Sequence, residues 1–158
     1  MKQIFLLSLL AAMILLAGCP YQSDVPVDQG SYAIPAWMTG KWQQVKSDGN
    51  GTVYEIKTDK PNASEAIVSA PSEADRKICL SLVGKTVFMN VYEPGDDMTE
   101  TGWYIFRLTK KSNAEMELLP LKEHADVSSA GSLKDFLRQH ENDETVFEKS
   151  ELATYKKR

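Results

Sequence analysis

The sequence predicts a mostly β fold: a small antiparallel β-barrel or strongly curved sheet, carrying one late amphipathic α-helix. Three observations predict it. Short runs of β-favouring residues recur from Gly40 to Leu121, separated by Gly, Asp, Asn and Pro turn signals. The apolar period lengthens to that of a helix only once, at 132–140. An open sheet of so many strands would leave hazardous edges, so the sheet is expected to curl or close.

The chain starts with Met1-Lys2-Gln3 and an apolar run from Ile4 to Leu16 that only Ser8 interrupts. A membrane-crossing helix needs roughly twenty apolar residues, whereas the core of an export signal needs about 7 to 15. The run has the shorter length, which favours an export signal. It ends in Leu16-Ala17-Gly18-Cys19, which resembles the lipobox of bacterial lipoprotein precursors. That resemblance implies that residues 1–18 are a signal peptide and that Cys19 is acylated and becomes the mature N-terminus. It also implies a permanent membrane tether, since each buried methylene contributes about 0.8 kcal/mol and two or more chains hold stably where one does not. In diderm bacteria an Asp after the lipid-bearing Cys commonly retains a lipoprotein at the inner membrane. Pro20 occupies that position here, so the expected location is the cell envelope at the periplasmic face of the outer membrane.

Residues 19–36 read as the lipidated N-terminus and a flexible spacer. Pro20, Asp24, Pro26, Asp28 and Gly30 are turn or linker residues, with little apolar content beyond Tyr21 and two valines. A single β-rich domain is expected over 37–158. Removing the signal leaves about 140 residues, the size of one ordinary domain.

Within that domain, Gly40 to Lys57 reads as a hairpin around Ser47-Asp48-Gly49-Asn50-Gly51, because Asp-Gly and Asn-Gly steps supply positive φ cheaply. Alternation in its second strand turns Tyr54 and Ile56 inward. The Asp-Gly-Asn-Gly string fails the EF-hand pattern at Thr52 and Val53, so it assigns no calcium site. Ala66 to Val68 is a short strand and Pro71 to Arg76 a loop. The clearest pair is Ile78 to Val83 and Thr86 to Tyr92, joined by Gly84-Lys85 in a type II′ turn. Its second strand is apolar on both faces, with Val87, Met89 and Val91 opposing Phe88 and Tyr92.

An acidic connection, Glu93 to Gly102, leads to a strand at Trp103 to Leu108, and another strand spans Ala114 to Leu121. The acids of that connection fit a solvated loop, and no metal is assigned to them. Leu133, Phe136, Leu137 and His140 then recur at helical spacing behind a capping-box-like Ser132 and Asp135. Thr145 to Phe147 and Ala153 to Lys157 are expected to be the closing strands.

The net charge of −4 becomes about −5 once Lys2 leaves with the signal, which argues against a nucleic-acid partner needing a basic face. Only Cys79 remains besides Cys19, so no intrachain disulfide can form and the apolar core must hold the domain. Apolar neighbours around Cys79 are expected to raise its pKa and leave it inert.

The run Trp37-Met38-Thr39-Gly40-Lys41-Trp42 places a Gly-x-Trp at the start of the first strand. It is similar to the first-strand motif of lipocalins and other calycins, in which the Trp closes one end of the barrel. The resemblance implies a calycin-like barrel with Gly40 and Trp42 as structural end residues. The chain as a whole resembles bacterial lipoproteins with small lipocalin-like domains.

No catalytic constellation is visible: the two His residues, His124 and His140, lack metal-ligand spacing, and there is no Gly-x-Ser-x-Gly, His-Glu-x-x-His or phosphate loop. The expected function is therefore non-catalytic binding without a cofactor. A protein-interaction role in the envelope comes first, as assembly factor, inhibitor or antigen, with Tyr32, Trp37, Trp103 or the acidic loop as contacts. The alternative is lipocalin-like binding of a small apolar ligand in a cavity lined by Tyr54, Phe88, Met89 and Phe106.

Overall fold

Every pairing among the described strands is antiparallel, and every strand after the first pairs with the strand next to it in sequence. The computed structural model describes residues 21–46, 48–93, 102–122, 127 and 130–158. Its strands are β1 (Gln22–Ser23), β2 (Gly40–Gln44), β3 (Val53–Lys57), β4 (Glu65–Ser69), β5 (Arg76–Val83), β6 (Thr86–Glu93), β7 (Gly102–Ser112), β8 (Glu115–Pro120) and β9 (Ala153–Lys157). Helix α1 spans Ala130–Gln139. Strands β2 to β9 form an eight-stranded barrel, closed where β9 pairs with both β8 and β2. The closing register sets Trp42 opposite Lys157 and Gln44 opposite Tyr155.

The β5–β6 hairpin has the two-residue connection read from Gly84-Lys85. Val83 pairs with Thr86, and Gly84 has φ +60°, a conformation glycine adopts without a Cβ penalty. Strand alternation then sorts the apolar residues into two cores. The interior core contains Trp42, Ile56, Ala66, Ile78, Leu80, Met89, Met116 and Leu118, with Met38 and Ile34 at one end. The outer core lies between the β5–β8 wall and α1. It contains Val83, Phe88, Ile105 and Leu119 from the wall, Leu133 and Leu137 from α1, and Tyr21, Val27 and Phe147. This second layer is why β6 is apolar on both faces.

Three expectations are corrected. Residues 21–36, read as flexible spacer, pack from Tyr21 onward: Tyr21, Val27 and Ile34 are buried, and β1 pairs with β7. Their apolar residues are few and irregularly spaced, so no period marks them, yet each fills a slot on the barrel. Thr145 to Phe147 is not a strand. Asp143 accepts hydrogen bonds from the N–H and hydroxyl of Thr145 and winds Glu144–Val146 into a 3-10 turn, leaving only a bridge from Phe147 to Leu121. Helix α1 starts at Ala130, so Ser132 lies inside it and not at its cap. The acidic residues from Pro94 to Thr101, His124, and the lipobox with Cys19 lie outside the described residues.

Candidate functional site

The barrel has two unlike ends. At one end the 3-10 turn Ala36–Met38 lies across the interior, and Gly40, with φ +109°, swings the chain from that turn into β2. Trp42 is fully buried beneath it, and its indole N–H donates to the carbonyl oxygen of Met38 at 2.7 Å. Trp37 meets the Trp42 ring edge-to-face at 6.1 Å. The ammonium of Lys157 lies 5.6 Å from the Trp42 ring centroid and donates to the Trp37 carbonyl at 3.0 Å. Aromatic and cation–π contacts of this kind each contribute about 0.5 to 1.5 kcal/mol beyond burial. Gly40 and Trp42 thus stand at a filled end of the barrel.

The other end opens into a cup of about 390 Å³. Trp42, Ile78, Met89, Met116 and Leu118 form its buried floor, and Tyr54, Val68, Val91, Phe106 and Tyr155 its partly accessible wall. Tyr54 and Tyr155 meet edge-to-face at 5.9 Å. Burial, with the neighbouring Tyr54, pushes the Tyr155 phenol up to about 12, so it remains a neutral hydroxyl. Arg76 stands at the mouth between two carboxylates, 2.7 Å from Glu73 and 2.9 Å from Glu93. Burial alone would lower its pKa, but the two carboxylates outweigh that and raise it. The cup is therefore an apolar bowl with an ion-paired rim.

Of the residues expected to line a cavity, the structure brings Tyr54, Met89 and Phe106 together and excludes Phe88. Phe88 is corrected to the outer core, where it stacks on Phe147 with centroids 6.4 Å apart. Successive residues of a strand face opposite sides, so Phe88 and Met89 cannot share one cavity. Sequence reading missed Tyr155, Arg76 and Glu93. Only the register of β9 against β2 and β8 brings Tyr155 into the bowl, and nothing local signals that pairing.

A groove of about 450 Å³ lies outside the filled end, between the barrel wall and the 141–144 segment. Arg107 is ion-paired with Glu144 there at 2.7 Å, and Glu141 accepts from the Lys85 N–H at 2.7 Å and the Thr86 hydroxyl at 3.0 Å. Two of the aromatic residues considered for contacts are engaged in packing. Trp37 lies on Trp42 with Lys110 over its ring, and Trp103 packs on the outer core beside Tyr92. Tyr32 is exposed.

Behind β5 lies a buried polar cluster. Asn90 donates to the Cys79 carbonyl at 3.2 Å and to Ser81 Oγ at 2.9 Å, and accepts from the Val27 N–H at 2.9 Å. Asp28 accepts from Ser81 Oγ at 2.6 Å, Ser31 Oγ at 2.6 Å and Lys134 Nζ at 2.8 Å. Burial alone would raise its pKa, but these donors outweigh it and hold the carboxyl well below the usual carboxylate range. Burial, with Asp28 nearby, pushes the Cys79 thiol up to about 11. Among the described residues, no three His, Cys, Asp or Glu side chains are grouped to hold a metal, and no helix is long and apolar enough to cross a membrane.

No protein-family model matches the sequence, and no curated protein is significantly similar to it. Among solved structures, the chain is similar to a DUF4909 family protein from Staphylococcus aureus, with a TM-score of 0.47 and 10% sequence identity. The alignment covers 78% of this chain and 98% of that one.

Proposed function

We propose that this chain is a lipid-anchored envelope protein whose barrel binds a small apolar ligand, without catalysis, in the cup beneath Arg76. The observation that carries the reading is the cup itself: about 390 Å³, open at one end, with a wall of aromatic and aliphatic side chains. Binding sites for small molecules are usually clefts of about 300 to 1,000 Å³, mainly apolar and oriented by a few polar groups. An eight-stranded barrel can fill itself with side chains or hold one small molecule. Here the floor is filled and the upper half is not. The anchor follows from Leu16-Ala17-Gly18-Cys19. The cup puts ligand binding ahead of the protein-interaction role, because Trp37 and Trp103 are engaged in packing.

Native mass spectrometry and displacement of an apolar dye test the reading. The expected result is one bound dye per chain, displaced by apolar competitors. A cup-filling change, Ala153→Trp, is expected to weaken binding at least tenfold while the protein stays folded. If the wild-type protein takes up neither co-purifying lipid nor dye, the ligand reading is wrong.

A further inference from the structure

The two ends of the barrel differ in charge as well as in filling. Strand β2 leaves the filled end at Gly40, so antiparallel alternation returns the β3–β4, β5–β6 and β7–β8 turns to that end. Lys60 and Lys85 stand in two of those turns. Lys110 and Lys157 both bear on Trp37, one over its ring at 5.1 Å and the other on its carbonyl, and the Arg158 N–H donates to the Lys41 carbonyl at 3.0 Å. None of these six cationic side chains has an ion-pair partner among the described residues, and elsewhere in the described chain only Lys46 and Lys122 lack one. The carboxylates near them are mostly engaged. Lys77, Lys156 and Lys111 hold Glu65, Glu115 and Glu117, and the Lys85 N–H and Thr86 hydroxyl hold Glu141, leaving Asp59.

Apolar side chains are exposed in the same place. Tyr32 and Leu82 are 38% and 40% exposed. Tyr32 bridges to Leu80, Leu82 pairs with Val87, and Tyr32, Leu80, Val87, Lys85 and Lys110 line one groove. Cations around exposed aromatic and aliphatic side chains suit a membrane surface. The Lys stems lie along apolar surface with their heads at the phosphates, and Tyr sits at headgroup level. A hydrophilic polyanion would use the cations and leave Tyr32 and Leu82 in water.

Distance decides whether the negative charge of the whole chain, −4, opposes such a contact. Strand β5 has eight residues, which with barrel tilt gives a height of about 20 Å. Screening at physiological salt acts over about 8 Å. A surface against the filled end therefore meets the six cations and not the Glu73 and Glu93 carboxylates at the mouth.

We propose that the filled end of the barrel docks on an anionic bilayer, so that the cup opens away from the membrane. This goes beyond the ligand-binding reading and does not use it; the proposed anchor serves only to keep a bilayer within reach.

The test uses the chain from residue 19 with Cys19→Ala, which removes the anchor, and vesicles of phosphatidylcholine alone or mixed with phosphatidylglycerol. Co-flotation is expected with the mixed vesicles only, and high salt should weaken it at least about tenfold. Lys41→Glu with Lys85→Glu should weaken it at least about tenfold, whereas Lys46→Glu with Lys122→Glu, an equal change of net charge at the mouth end, should leave it within about twofold. These four side chains make no hydrogen bond or ion pair among the described residues, so both variants should keep the fold, which circular dichroism checks. Equal loss in the two variants, or no binding of the parent to mixed vesicles, overturns the proposal. Retention on heparin without vesicle binding overturns it in favour of a soluble polyanion. As a readout of orientation, brominated lipids should quench a fluorophore on Asn113→Cys, in the β7–β8 turn, and spare one on Ala74→Cys, near the mouth; the reverse pattern overturns the proposal. Dye uptake by the cup is measured separately on the same chain, so its failure removes the ligand reading and leaves vesicle docking to stand or fall by its own result.

Discussion

The ammonium of Lys134 on α1 lies 2.8 Å from Oδ2 of Asp28, joining the helix to the N-terminal segment across the outer wall of the barrel. The pair is mostly withdrawn from water, with 31% and 17% of the two side chains exposed. Asp28 also accepts from Ser81, from Ser31 and from the Gly30 N–H, so one carboxylate fastens three pieces of chain.

Acid should loosen that fastening. The folded pKa of Asp28 lies below its unfolded value. Its contribution to stability is therefore complete above the unfolded value of about 3.9 and is lost as pH falls toward the folded one. Asp28→Ala should cost on the order of 3 kcal/mol at neutral pH, because it leaves Lys134 and buried donors unpaired. Urea titrations at pH 7 and pH 3 check both points. The gap between wild type and variant should narrow at the lower pH, and a constant gap would contradict the assignment.

Trp42 gives a second prediction, at the filled end of the barrel. Trp42→Phe keeps a ring but leaves the buried Met38 carbonyl without its 2.7 Å donor, which should cost about 1 to 3 kcal/mol. Trp42→Ala should cost about 3 to 5 kcal/mol and remove the packing surface for Trp37 and Lys157. Denaturant unfolding of the two variants should give that order.

How much of this was legible depended on how local each signal is. The β5–β6 hairpin is declared by Gly84-Lys85 between two apolar runs, and the helix by Leu133, Phe136 and Leu137. Alternation also turns Tyr54 inward and sets Met89 and Phe88 on opposite faces of β6, without saying which of the two faces the interior. It could not say that the opposite face of β6 is covered too, so Phe88 was assigned to the wrong core. Closure of the barrel depends on β9 meeting β2 about 110 residues away in sequence, a pairing that no local pattern encodes. The 21–36 segment was misread for a related reason. Its order comes from tertiary partners such as Asn90, Ser81 and Lys134, not from any period of its own.

Cys79 should be chemically silent in the folded state. Its side chain is buried, and its thiol is pushed up to about 11. At about pH 8 only on the order of one thiol in a thousand would be the reactive thiolate, even before access is considered. In a Cys19→Ala protein, where Cys79 is the sole thiol, iodoacetamide should leave the native mass unchanged over hours. The same protein in concentrated guanidinium should gain one adduct. Rapid native labelling would mean that β5 opens readily or that the thiol is not buried.

The two glycines of the β2–β3 connection should respond differently to alanine. Gly49 has φ +74°, and nothing lies within 4 Å of where its Cβ would stand, so Gly49→Ala carries only the left-handed backbone penalty of about 1 to 2 kcal/mol. A Cβ on Gly51 would instead overlap the Gln44 carbonyl, which is backbone and cannot rotate aside. Relief would require parting the strands where the Gln44 N–H donates to the Thr52 carbonyl at 2.9 Å, beside the β2–β9 seam that closes the barrel. Gly51→Ala should therefore cost more than Gly49→Ala, by about 1 kcal/mol or more. Hydrogen exchange separates the two causes. In Gly51→Ala, protection should fall at the Gln44 amide and along the adjoining β9 residues, whereas in Gly49→Ala any loss should stay within the loop.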